Sequence, residues 1–138
     1  MRKFALAFCA TLAMSSVAAA IEYPTADELR SAVAGSQFSR ITSAFNDFTQ
    51  TWNQDGTAKL EIKPRFGMGE TVTGTWEVKD GQLCTTLNST SRGSGRPETK
   101  CSRYEKVGDK LFALNENGTH ISDRPMFTLK QNQKSAAQ

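Results

Sequence analysis

The chain has 138 residues, 38% of them hydrophobic and 22% charged, with a formal net charge of +3 at pH 7. That length suits one ordinary domain with a single core. The charge excess is small, and falls to +1 if Arg2 and Lys3 are lost, so charge gives no general argument for binding nucleic acid or an anionic membrane.

Residues 1–20 read MRKFALAFCATLAMSSVAAA, a basic start, an apolar run from Phe4 to Met14 and a small-residue exit at Ala18-Ala19-Ala20. This is the layout of a Sec-type secretory signal peptide and predicts cleavage after Ala20, with the mature protein periplasmic or secreted from a bacterium. The apolar run is shorter than the roughly 20 residues that span a bilayer, so no stable membrane anchor is expected after cleavage. Cys9 lies within the run and not at the junction, which argues against a lipoprotein.

A helix is predicted across YPTADELRSAVAG. Thr25 and Glu28 have the spacing of a capping box, Asp27 and Glu28 suit the positive end of the helix dipole, and Leu29, Ala32 and Val33 recur on one face before Gly35. From Ser36 the pattern turns to period two. Strands are expected at Phe48–Trp52, at Thr57–Lys63 with Ala58, Leu60 and Ile62 on one side, and at Thr71–Val78 with Val72, Gly74, Trp76 and Val78 together. PRFGMGE reads as a loop, and Lys79-Asp80-Gly81 as a hairpin turn into Gln82–Asn88. STSRGSGRPE is polar and rich in Gly and Ser, an exposed loop. Further strands follow at Lys100–Val107, Lys110–Asn115 and Met126–Lys130, separated by Gly108-Asp109 and Asn117-Gly118 turns.

About seven or eight short strands in this order form an antiparallel meander, which must curl into a small barrel or fold over as a sandwich to share a core. The N-terminal helix would cover an open edge or mouth. Residues 21–130 make one β-rich domain, and 131–138 a tail with nothing to bury. Of the three cysteines, Cys84 and Cys101 remain after cleavage, in a compartment that permits disulfides. With the hairpin end at Asn88–Pro97 they face each other on paired strands, and a structural bridge there contributes about 3 kcal/mol by the chain-entropy argument.

The chemistry available is thin. His120 is the only histidine, so a catalytic arrangement would have to be built around it at the turn after Asn117-Gly118. With both cysteines committed, zinc is short of ligands. No glycine-rich loop leads into a helix to cradle phosphate, and no calcium-loop spacing occurs, so neither metal nor cofactor is expected. Acidic residues are plentiful, but no feature singles out a catalytic pair.

Two surfaces stand out. Trp52, Gly74, Trp76 and Phe48, with Phe38 and Phe127 nearby in pattern, would either line a pocket for an apolar or glycan ligand or fill a small barrel as its core. Gly74 would allow close approach of a ligand or relieve crowding at a bend. Arg92, Arg96, Lys100 and Arg103, followed by Lys106 and offset by Glu98 and Glu105, would either dock an acidic partner or form a solvated hairpin end.

The run TADELRSAVAGSQF, WNQDGTAKLEI, GTWEVKDGQLCTTL and KCSRYEKVGDKLFALNENG resembles a group of small exported alpha-proteobacterial proteins catalogued as a domain of unknown function. That resemblance covers nearly all of the mature chain and implies a periplasmic β-rich fold with no assigned catalytic residues. Gly74-Thr75-Trp76 also resembles the Gly-x-Trp of lipocalins, although there the motif lies on the first strand. Size and compartment resemble exported barrel inhibitors of lysozyme, but Tyr104 stands too far beyond Ser94-Gly95 for their Ser-Gly-x-x-Tyr loop. The expectation is an exported, non-enzymatic β-barrel binding protein, an envelope-associated carrier of a small apolar or glycan ligand or a binder of an envelope or host protein. The alternatives are an inhibitor of a hydrolase such as lysozyme, or a hydrolase using His120 or paired acids.

Overall fold

A computed structural model describes residues 19–42, 46–88 and 95–130. The expected tail over 131–138, Arg92 and all but the last two residues of the expected leader lie outside them. One helix, α1 (Ala26–Val33), is followed by nine strands: β1 (Ser36–Ile41), β2 (Asp47–Trp52), β3 (Thr57–Lys63), β4 (Glu70–Lys79), β5 (Gln82–Leu87), β6 (Glu98–Ser102), β7 (Tyr104–Val107), β8 (Lys110–Ala113) and β9 (Phe127–Thr128). Strands β1 to β6 form one antiparallel sheet in sequence order, curled into a half-barrel, and β7 to β9 form a second.

The helix begins as its sequence requires. Thr25 Oγ1 accepts from the Glu28 backbone N–H at 3.1 Å, and the Glu28 carboxylate accepts from the Thr25 N–H at 2.9 Å. Its apolar stripe, Leu29, Ala32 and Val33, is buried. Gly35 then donates its N–H to the Trp52 carbonyl at 2.7 Å, which delivers the chain into β1 beside β2. The β4–β5 turn is held by Asp80 at φ 53° and Gly81 at φ 71°, the paired left-handed residues of a tight hairpin that Asp-Gly favours.

The structure differs from the sequence expectation in three places. Ser36–Ile41 is a strand, β1, which brings the total to nine; of its side chains only Phe38 packs against the core, so its alternation is faint. The strand expected across Lys100–Val107 divides at Arg103. Ser102 still pairs with Leu83, but β5 begins at Gln82, so the chain beyond runs out of partner and Tyr104 pairs instead with Ala113 of β8. The strand expected at Met126–Lys130 is regular only over Phe127–Thr128, flanked by hydrogen bonds from Met126 N–H to the Leu111 carbonyl (2.8 Å) and from Leu129 N–H to the Asp109 carbonyl (2.7 Å).

Helix and both sheets share one cluster of buried side chains that includes Leu29, Val33, Trp52, Trp76, Tyr104 and Phe127. Phe127 joins the two sheets: its ring lies edge-on to Trp52 at 5.0 Å and tilted against Tyr104 at 5.4 Å. Burial of each such side chain stabilises the fold by about 1.5–3 kcal/mol. Lys106 on β7 fastens the helix from outside, donating to Glu28 at 2.8 Å with Glu22 at 3.8 Å. Its partnership with Lys106 holds the Glu28 carboxyl below its ordinary value, and Glu28 in turn raises the Lys106 ammonium.

Cys84 and Cys101 are register partners on β5 and β6, bridged, with Cα atoms 4.0 Å apart. The expected hairpin pairing is therefore present, and the bridge pins β6 where the chain is about to leave the large sheet. Among the described residues no helix is long and apolar enough to cross a membrane.

Candidate functional site

The two tryptophans expected to line a pocket are anchored within the core. Trp52 is 1% exposed, and its indole N–H donates to Thr85 Oγ1 at 3.1 Å, the polar side chain buried alongside it. Trp76 is 9% exposed and donates to the Asn53 carbonyl at 2.8 Å. Both indole donors are thus satisfied within the protein, as buried polar groups require. Phe48 lies further along the concave face, half-buried and opposite Ile62, in the part of the sheet remote from Phe127.

Gly74 is a bend. A Cβ there would collide with the Thr86 carbonyl oxygen and lie 2.9 Å from the Leu87 Cα, so β5 already occupies the space a side chain would need. Its cross-strand neighbour on β3 is Ala58, itself paired with Trp52. Two small residues side by side let the sheet curl around the larger indoles.

Two open depressions lie near these residues. One, of about 900 Å³, lies between α1 and the β2–β3 turn and is lined by Asp27, Arg30, Gln54, Asp55, Trp76 and Glu77. Asp27 and Arg30 pair there at 2.8 Å. Hydrogen bonds from the Thr57 hydroxyl and backbone N–H hold the Asp55 carboxyl below its ordinary range. The other, of about 530 Å³, lies on the convex face over Asn53, Thr57, Lys59, Thr73, Thr86 and Asn88, with Gly74 among its lining residues. The strand register sets Thr57, Thr75, Thr86 and Thr99 in one row across four strands there. Trp52 and Phe48 line neither depression.

The arginine-rich surface is spread along the chain. Arg96 lies in the turn before β6, Lys100 within β6 and Arg103 at the junction between the sheets, all exposed; Arg92, the fourth member expected, is outside the described residues. His120 donates to or accepts from Glu105 at 2.5 Å and stacks on Phe112 at 4.5 Å between ring centroids. Its imidazole is thus held by a carboxylate and an aromatic face on the small sheet. Among the described residues no three His, Cys, Asp or Glu side chains converge as a metal would need.

A different surface stands out, one that hydrophobic periodicity does not mark. At the end of the half-barrel away from Phe127, Ile41 is 72% exposed, Phe66 83% and Met68 95%. Ile41 closes β1 and faces Asp47, which faces Lys63, and Lys63 leads into the loop 64–69 that carries Phe66 and Met68. Two neighbouring hairpin ends therefore present apolar side chains outward together. Arg65 lies over the Phe66 ring, its guanidinium 5.4 Å from the centroid. The signal was legible in principle: Phe and Met between Pro64, Gly67 and Gly69 stand in a loop too irregular to aim them at the core. Behind them the concave wall continues as Phe48, Leu60 and Ile62, half-buried.

No protein-family model matches the chain, and no match is found among curated proteins or among solved structures.

Proposed function

We propose that this chain is an exported, non-enzymatic binding module that engages its partner with the outside of the half-barrel end, through Ile41, Phe66 and Met68, and not with an interior pocket. The observation that carries this reading is the contrast between two groups of apolar side chains. The tryptophans that would have framed an internal site are packed and hydrogen-bonded within the core. Three large apolar side chains at the opposite end stand in solvent, where folding gains nothing from them. A cluster of exposed apolar side chains on adjoining loops is the usual mark of a contact surface. The bridge between Cys84 and Cys101 supports an oxidising compartment, in keeping with export.

The test is site-specific photo-crosslinking in a bacterial host that exports the protein. A benzoylphenylalanine in place of Phe66 should give cross-linked products, whereas the same group in place of Thr75 on the convex face should not. Equal labelling from both positions, or none from Phe66, refutes the reading. An adduct retained in native mass spectrometry and lost on denaturation would establish a carrier instead.

A further inference from the structure

We propose that β1 is a pairing edge for a second copy of this chain, which adds its own β1 antiparallel across a two-fold axis at Ser39. This surface is distinct from the one at Phe66 and Met68, and Ile41 is the residue common to both. The two sheets end in the edge strands β1, β6, β7 and β9. An unpaired edge invites another strand, and proteins blunt theirs with charge, proline, short length or a cover. β6 follows Pro97 and carries Glu98 and Lys100. β9 has two residues. β7 is covered where its Lys106 N–H donates to the Glu22 carbonyl at 2.7 Å. β1 is the least protected: it runs six residues in unbroken register with β2, and Arg40 is its one charge. Lys130 reaches the Ala34 carbonyl at 2.6 Å, just before the strand begins. Beyond that point Gln37, Ser39, Arg40 and Ile41 are exposed.

The hydrogen-bond phase of the strand selects the partner's register. Thr42 donates to the Asn46 carbonyl at 3.0 Å, continuing the β1–β2 ladder by one pair. Bonded and non-bonded pairs alternate along an antiparallel ladder. Ser36, Phe38 and Arg40 therefore bond towards β2, while the N–H and C=O of Gln37, Ser39 and Ile41 point to the open side. The side chains agree: Gln37 and Ser39 bond across to Thr51 at 3.3 Å and Thr49 at 3.0 Å, as the closer, non-bonded pairs allow. The open residues are spaced evenly about Ser39. An antiparallel copy centred there sets Ser39 against the partner's Ser39 and Gln37 against the partner's Ile41, and it satisfies the open groups of both strands. On the concave face Phe38 then lies against the partner's Arg40, a cation beside an aromatic ring, and symmetry repeats the contact across the axis. No like charges meet, and a small serine lies on the axis, where crowding would be worst. A foreign strand would have to supply both matches afresh; a second copy has them already.

Cysteine cross-linking of the exported protein, in a Cys9→Ser background with Cys84 and Cys101 bridged, tests the register. Facing residues lie about 4.5–5.5 Å apart at Cα, within disulfide reach. Ser39→Cys should therefore oxidise to a covalent dimer at high protein concentration. Gln37→Cys alone should not, because that position lies about 14 Å from its own copy, but mixed with Ile41→Cys it should. Sedimentation velocity should show a weak, concentration-dependent dimer, since one strand edge offers less than the about 1,200 Å² of a stable interface. Ser39→Pro should weaken it about tenfold or more by removing the hydrogen bonds at the axis, and leave the monomer folded because β2 does not use that N–H. Should proline disturb the strand, Ser39→Lys sets two cations face to face and should weaken the dimer as well. A wild type that stays monomeric at every concentration overturns the proposal, as does cross-linking as ready from Gln37→Cys alone as from Ser39→Cys. Slow hydrogen exchange of the Ser39 amide in such a monomer would assign the edge to another strand. Neither result touches the cross-linking expected from position 66.

Discussion

Gly74→Ala is the sharpest test of how this sheet is built. The added Cβ would clash with the Thr86 carbonyl oxygen and approach the Thr86 carbonyl carbon to 2.8 Å and the Leu87 Cα to 2.9 Å. All three are backbone atoms of the paired strand, so no side-chain rotation relieves the contact, and β4 and β5 must separate. Overpacking of a tight interior costs about 1–3 kcal/mol. Separating the strands also strains the adjoining ladder, including the Asn88 N–H to Thr73 carbonyl bond at 2.9 Å, at about 1 kcal/mol per hydrogen bond. Replacing a strand glycine by alanine returns about 0.5–1 kcal/mol through the unfolded chain. The balance is a loss of about 1–3.5 kcal/mol, or a melting temperature lower by about 4–14 °C for a domain of this size. Far-UV circular dichroism of the oxidised protein during heating measures it, with a urea titration to show that the transition stays two-state. A variant that melts within about 3 °C of wild type would refute this close packing, since that drop is what a loss of under 1 kcal/mol gives. It would also reopen the other role for Gly74, close approach of a ligand, which predicts unchanged stability.

The remaining predictions concern the two fastenings. The Lys106–Glu28 pair makes stability pH-dependent at both ends. Glu28 titrates below its ordinary 4.5 in the fold, so its contribution is full above that value and is lost as the pH falls through the folded pKa. Lys106 titrates above its ordinary 10.5, so its contribution is full below 10.5 and is lost as the pH rises through the folded pKa. Glu28→Gln keeps a side chain able to cap Thr25 but removes the charge; its stability deficit, from urea titrations, should be constant near neutrality and shrink as the pH falls below 4.5 through the lowered folded pKa. A deficit that does not change with pH would mean the pair matters only as packing. Replacing both Cys84 and Cys101 by Ser should cost about 3 kcal/mol, read from the shift of the urea midpoint, with the β6–β7 amides exchanging fastest because β6 then has one covalent tie fewer.

What could be read from the sequence was whatever is decided locally. The capping box of Thr25 and Glu28, the Asp80-Gly81 turn and the alternation of Ala58, Leu60 and Ile62 each rest on residues within a few positions of one another. The Cys84–Cys101 facing followed from the hairpin between them. The division at Arg103 did not, because alternation continues unbroken through Ser102 and Tyr104; only the point at which β5 begins decides where the chain must change sheets. Tyr104 shows the same limit. In sequence it is one aromatic among charges, yet it is 2% exposed against Phe127, and burial pushes its phenol far above the ordinary range.

The exposed end is hard to read from the sequence for a related reason. Periodicity finds apolar residues that agree with an element, and Phe66 and Met68 agree with none. Such residues are informative because the fold has no use for them: a loop of this kind could carry serine or asparagine at both positions without loss of stability. Ile41 makes the case stronger, since it comes from a different hairpin and arrives at the same end only because β1, β2 and β3 pair in register. Among the described residues Tyr23, Val107 and Ile121 are also exposed, but Ile41, Phe66 and Met68 are the most exposed of the six. The sharing of one end by Ile41, Phe66 and Met68, away from the packed tryptophans, is what makes that end the part of the molecule where function is to be sought.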